Sequence, residues 1–331
     1  MKTFNSFSAI GKSLTRPILT WGVFDGVHRG HHALINSVIG WAARIRSDSL
    51  VITFDNHPAR VLNLHLDPLF ITSLAHRLLL LEKLGVDAAL VLNFTRALSR
   101  LPAEDFVNNI IKTLNPAGVV VTDNISFGRN RSGNIQTLKT ILGQHHIPLK
   151  IIKTLKYNGR IISSSLIRRA VKSGDLKTAQ KMLGRPVAIL GTVVHGEGRG
   201  RKLGFPTANL DPHHEILPRR GVYLARAFCL KGCRKFTQPL KALVNVGVKP
   251  TFDAATSWRP HGATINRRLG QPQDTIEVFL LNYDITTRGP LYGRDILVEI
   301  IRHLRPEKKF ATPDLLIKQI KNDIQKAKEI H

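Results

Sequence analysis

The chain has 331 residues, 43% hydrophobic and 22% charged, which is length for two domains with cores of their own and a composition that argues against broad disorder. Its 49 Lys plus Arg against 23 Asp plus Glu give a net charge of +26, spread along the chain without a basic block, recognition-helix or zinc-finger pattern, so no specific nucleic-acid partner is expected. No apolar run reaches the roughly 18 residues that span a bilayer, the first residues lack a signal peptide's apolar core, and Cys229 and Cys233 alone make neither a zinc site nor a disulfide framework; a reduced cytoplasmic enzyme with no membrane partner is expected.

The first half alternates as a parallel α/β sheet does. Apolar runs at 18–24, 50–54, 88–92, 118–121 and 149–152 predict buried strands. Stretches 30–46, 74–84, 103–114 and 136–143 predict helices between them, the third opening after Pro102, where a missing N–H costs nothing. This is a doubly wound layout, with a crevice expected at the C-terminal ends of the strands. A helical connector over 165–171 and 175–183 ends at Gly184. From Pro186 short β-rich runs at 187–194, 222–227, 242–246, 275–281 and 296–301, parted by Gly- and Pro-rich turns, predict a small antiparallel barrel. A closing helix over 313–329 repeats Leu315, Leu316, Ile320 and Ile324 at helical spacing. The domains are therefore placed at 1–184 and 185–331.

The end of the first strand carries chemistry. Residues 20–32 read TWGVFDGVHRGHH, an apolar strand running through a turn with Gly26 and Gly30 into a helix. Small residues let the backbone approach a ligand, and a helix N-terminus offers unpaired N–H groups to a phosphate. His28 and His31 stand where imidazole N–H donors would meet charge developing on a phosphoryl group. A single histidine there would more often just cap the helix or face solvent.

GVFDGVHRGH resembles the HxGH signature of nucleotidylyltransferases, in the form seen in bifunctional prokaryotic riboflavin kinase/FMN adenylyltransferases. Residues 52–58, ITFDNHP, and 162–168, ISSSLIR, resemble that family's TFxPHP and ISSTxIR segments, although a Ser-capped helix would also explain the second. The resemblance implies that His28 and His31 act on the phosphates of ATP and that Ser164, Ser165 and Arg168 hold the pyrophosphate end. It also implies a flavin-holding loop in 121–133, VTDNISFGRNRSG, through Asn124 and Phe127. Thr122 stands there where the family usually has Gly, and Ile125 where it has an aromatic. A β-branched residue is strained if that position needs positive φ.

A second set lies in the barrel half. Residues 191–210, GTVVHGEGRGRKLGFPTANL, suit a polyphosphate, with Gly196 and Gly204 among the glycines and Arg forks between them. GFPTAN resembles the PTAN motif of riboflavin kinases, which implies Mg2+ and ATP-phosphate contacts by Thr207 and Asn209; unaided, it could equally be a turn. Residues 275–284, TIEVFLLNYD, resemble the family strand whose Glu is the base for the riboflavin hydroxyl, here Glu277; a lone strand Glu would otherwise be a solvated face. LPRRGVY, VNVGVKPTF and LYGRDILVEIIRHLRPEKKF extend the resemblance to nearly the whole chain. The stretches 253–274 and 285–290 look inserted, as a lid or as surface elaboration.

The expected activity is phosphorylation of riboflavin to FMN and adenylyl transfer to FMN giving FAD, with ATP as donor and Mg2+ as cofactor. A kinase with an altered N-terminal domain is the alternative that Thr122 and Ile125 motivate. A basic nucleic-acid-binding protein is the one that the charge motivates.

Overall fold

The computed structural model describes every residue except 12, 63–68, 231–237, 250–272, 285–288 and 331. They form two compact units, Met1–Ala170 with Lys177–Arg185, and Val171–Leu176 with Pro186–His331.

In the first unit β1 (Lys2–Phe4), β2 (Ile18–Trp21), β3 (Ser49–Phe54), β4 (Ala88–Leu92), β5 (Gly118–Thr122) and β6 (Leu149–Ile152) make one sheet, ordered β1-β4-β3-β2-β5-β6. Every pairing is parallel. Parallel neighbours need crossovers, and helices Arg29–Arg44, Leu74–Leu84, Ala103–Leu114 and Ile135–Gln144 supply them. Covered on both faces, the strands read as unbroken apolar runs rather than alternation. Leu19, Leu50, Ile52 and Val121 feed one core, while Ile18, Val51 and Val120 feed the other. The strand order reverses between β2 and β5, so the functional crevice lies beyond the C-terminal ends of those two strands. β7 (Lys156–Tyr157) and β8 (Arg160–Ile161) form a small separate ribbon.

In the second unit β9 (Val187–Val194), β10 (Ala208–Asp211), β11 (Gly221–Cys229), β12 (Leu240–Lys249), β13 (Gln273–Leu280) and β14 (Asp295–Arg305) close into an antiparallel barrel, ordered β10-β13-β12-β11-β14-β9. Ile189, Val193, Tyr223, Val244, Val246, Ile276, Val278 and Val298 fill its interior. Helix Pro313–Glu329 opens with Thr312 accepting from the Leu315 amide, and Pro sits in its first turn. Ala327 and Ile324 of that helix cover an outer patch of Val222, Leu224 and Leu243.

Several expectations need correction. The first strand stops at Trp21 rather than 24, because Phe24 (φ 51), Gly26 (φ 83) and Val27 (φ 36) turn the backbone left-handed. The barrel has six strands where five were expected; β10 is part of the PTAN motif, whose short polar composition hides a strand. Helix Ser164–Ser173 starts one residue before its expected first turn, with the Leu166 amide donating to Ser163 Oγ at 3.4 Å. The expectation of reduced thiols involves Cys233, which is outside the described residues. The inserted stretch 253–274 lies outside them except for its last two residues, as does 285–288 of the second. Among the described residues no helix is long and apolar enough to cross a membrane.

Candidate active sites

The turn after β2 is held by its own polar groups. His28 caps helix Arg29–Arg44: its Nδ1 accepts from the His31 amide at 3.3 Å, and His31 Nδ1 accepts from the His28 amide at 3.4 Å. The two rings stack with centroids 3.5 Å apart. Acceptance at both Nδ1 atoms leaves the protons of the neutral rings on Nε2. Burial pushes His28 down to about 3, with His32 and Arg185 adding to it. Burial likewise holds His31 well below the usual imidazole range, helped by His28, His32, Arg77 and Arg185. Both are therefore neutral N–H donors near neutral pH. Gly30 packs closely here, since a Cβ would lie 3.2 Å from the His28 ring.

The first site is organised around Asp25, which is 1% exposed. One carboxylate oxygen accepts the amides of Ile71 (2.8 Å) and Thr72 (3.1 Å). The other accepts Arg168 Nε (3.3 Å) and Nη2 (3.1 Å), and the Asp25 carbonyl accepts Ser164 Oγ at 2.8 Å. Thus Ser164 and Arg168, 139 and 143 residues away in sequence, are brought to the histidine turn. Ser165, by contrast, is exposed. Arg168 Nη2 also lies 3.3 Å from His57 Nε2. Arg185 ties the turn down from another side, donating to the carbonyls of Gly26 (2.8 Å) and Val27 (3.1 Å). Gly26 itself donates to Thr72 Oγ1 at 2.9 Å; its φ of 83 strains any other residue, and a Cβ there would press on Ile71 at 3.0 Å.

Arg77 is fully buried and was not singled out from the sequence. Its Nη1 donates to Thr53 Oγ1 (2.9 Å) and the Phe54 carbonyl (2.7 Å), fixing the end of β3. Burial pulls the guanidinium down to about 10, against Asp25 and Asp55, and its Nε and Nη2 have no partner among the described residues. Arg77 and Arg185 carry no signal of their own in a sequence, and Asp25 lies within GVFDGVHRGH without having been singled out. His57 did, through ITFDNHP.

The loop after β5 answers the question posed by Thr122. This residue is the last of β5, paired with Ile152, and does not have positive φ. Its hydroxyl donates to Asn124 Oδ1 at 2.9 Å, orienting an exposed amide. Ile125 packs against the sheet core. Phe127 is buried, edge-on to Trp21 at 5.6 Å, so the ring expected to hold flavin is a core residue of the loop. Phe127 and Gly133 exchange backbone hydrogen bonds, and Gly128, at φ 71, lies against the Ala103 backbone.

In the barrel, antiparallel pairing sets Asn209 of β10 opposite Glu277 of β13, and Glu277 opposite Asn245 of β12. Their sequence neighbours Leu210, Ile276, Val278, Val244 and Val246 are interior, so this polar row faces outward. The loop before β10 presses against it: a Cβ at Gly196 would lie 2.0 Å from Asn209 Nδ2, and one at Gly200 would lie 3.0 Å from Thr207 Oγ1. Phe205 meets Phe279 edge-on at 5.9 Å. Gly204 is exposed with φ 84, at the turn after the short helix Arg199–Lys202.

Two family models match the chain, FAD synthetase over residues 11–166 and riboflavin kinase over 183–331. The chain belongs to the bifunctional riboflavin kinase/FMN adenylyltransferase family. Proteins of that description from Buchnera aphidicola subsp. Schizaphis graminum and Escherichia coli K12 are 30% and 32% identical, covering 99% and 94% of this chain and 98% and 92% of their own lengths. A Streptococcus pneumoniae crystal structure, described as a macrolide-efflux protein, has 26% identity and a TM-score of 0.78, with 99% of each chain covered.

Proposed function

We propose that the barrel unit phosphorylates riboflavin and that the sheet unit transfers an adenylyl group from ATP to the FMN produced, with the residues above in the following roles. In the first reaction the riboflavin primary hydroxyl attacks the γ-phosphorus of ATP, its proton passes to Glu277, and ADP leaves. Gly196, Gly204, Thr207 and Asn209 hold the phosphates. In the second, an FMN phosphate oxygen attacks the α-phosphorus, the bond to the β-phosphate breaks, and pyrophosphate leaves without a covalent intermediate. His28 and His31 donate to the phosphoryl oxygens, Ser164 and Arg168 serve the pyrophosphate end, Gly26 and Gly30 give the backbone approach, and Asn124 meets the flavin. Ser165 is exposed and is given no role here.

The residues fit Mg2+ in the kinase site. Thr207 and Asn209 offer hard oxygen donors, with Glu277 beside them, and glycines at 196 and 200 let the preceding loop lie directly against them. When bound there, Mg2+ would neutralise charge on the transferring phosphates.

The observation that carries the reading is the facing of Asn209 and Glu277, which sets the phosphate-binding motif next to a carboxylate able to act as base. Glu277→Gln is expected to abolish FMN formation and spare conversion of added FMN to FAD, and His31→Ala to do the reverse. Loss of both activities from either folded variant would refute the two-site assignment.

A further inference from the structure

Asp25 and Arg168 form the ion pair at the centre of the first site, yet they differ in burial: 2% of the Asp25 side chain is exposed and 19% of the Arg168 side chain. The contact with His57 does not secure Arg168. His57 Nδ1 accepts the Ala59 amide at 3.1 Å, which puts the proton of the neutral ring on Nε2, facing the guanidinium. Once Arg168 turns to the pyrophosphate of ATP, a carboxylate this deeply buried loses the cation that balances it. A second cation is already in place. Arg77 is 0% exposed, one turn into the helix Leu74–Leu84, and the amides just before that helix, Ile71 and Thr72, donate to the other oxygen of Asp25. Its Nη1 is pinned by Thr53 Oγ1 and the Phe54 carbonyl, and the Phe70 ring centroid lies 5.3 Å from its guanidinium carbon. Its Nε and Nη2 are buried and have no hydrogen-bond partner among the described residues. Of the two carboxylates that act on its charge, Asp25 acts more strongly than Asp55.

We propose that Arg77 is a positioning residue for adenylyl transfer: it is the resident counter-charge of Asp25 and so frees Arg168 to leave that carboxylate for the pyrophosphate of ATP. The inference rests on the reading of Arg168 as a pyrophosphate ligand. Burial makes the two arginines unequal. Arg168 lies at the edge of solvent and can swing toward a polyanion, whereas Arg77 is enclosed and acts only through Asp25. Without Arg77, every ATP that engaged Arg168 would leave an unbalanced charge inside the sheet unit. That cost would appear as weaker ATP binding in the ground state and transition state alike.

The test measures the KM for ATP in conversion of added FMN to FAD by the full-length chain. It compares wild type, Arg77→Gln and Arg77→Lys, each with and without Asp25→Asn. Gln and Lys both keep a donor for the Phe54 carbonyl, and only Lys keeps the charge. Arg77→Gln is expected to raise the KM about tenfold with kcat within about threefold, and Arg77→Lys to raise the KM by no more than about threefold. With Asp25→Asn no carboxylate needs balancing there, so adding Arg77→Gln to it should change the KM by less than about twofold. Circular dichroism and the thermal midpoint report folding. If Arg77→Gln alone fails to fold, the comparison of Asp25→Asn with the double variant still decides. Similar losses from Gln and Lys, or the same loss from Arg77→Gln in both backgrounds, would make Arg77 a structural pin for β3 and overturn the proposal. A KM for ATP indifferent to Arg168→Ala would instead overturn the reading of Arg168. Wild type that makes no FAD from FMN would overturn the adenylyltransferase reading before any variant is made.

Discussion

Asp25 shows how a buried charge is made tolerable at the residue scale. A carboxylate taken out of water is costly unless its lone pairs are filled, and here two amides and one guanidinium fill them. Asp25→Asn keeps an acceptor for the Ile71 and Thr72 amides but removes the charge that pairs with Arg168. It should reduce FMN-to-FAD conversion by roughly ten- to a hundredfold and leave riboflavin phosphorylation unchanged, read from the two rates on one preparation. The histidine pair makes a prediction about pH. His28 and His31 are held below the usual range in the folded chain, so the unfolded chain binds more protons as pH falls below about 6.5. Their contribution to stability is complete above that value and is lost on acidification toward the folded-state value, about 3 for His28. Lowering the pH from about 7 to about 5 should lower the thermal midpoint of the sheet unit, and His28→Asn should flatten that dependence. The positions of His28, His31, Asn209 and Glu277 as candidates were legible in the sequence because their motifs sit at strand ends or in strands with strong apolar patterns. Arg77 and Arg185 were not, and Asp25 and Asn245, although inside the segments GVFDGVHRGH and VNVGVKPTF, showed no role there, because their place depends on partners far away in the chain.

At the scale of elements, the crossover geometry decides what the loops can carry. The connection from β4 must pass β3 and β2 to reach β5, which brings helix Ala103–Leu114 under the loop that follows β5. Gly128 touches that helix at Ala103, where a Cβ would lie 2.5 Å from backbone, and its φ of 71 already disfavours other residues. Gly128→Ala should therefore cost about 1–3 kcal/mol in denaturant unfolding and raise the KM for FMN, with little change in the kinase reaction. Thr122 teaches the reverse lesson: a residue that looked strained against a family pattern lies in ordinary strand conformation and gains a hydrogen bond to Asn124. Long elements with a clear period, such as helices Leu74–Leu84 and Pro313–Glu329, were readable almost to the residue. Short ones were not, since β10 and the ribbon β7–β8 have too few residues to show a period.

For the whole molecule, the change from helix-separated apolar runs to short strands with Gly and Pro turns announced two architectures, and both are present. What the sequence did not contain was the register that faces Asn209, Glu277 and Asn245 across three strands, because barrel pairings follow from closure rather than from local pattern. The most direct test of two transferases in one chain is separation of the flavins formed when the purified protein is given riboflavin, ATP and Mg2+. FMN that rises first and then declines as FAD accumulates is the predicted course. Riboflavin left unchanged by a folded sample would contradict it.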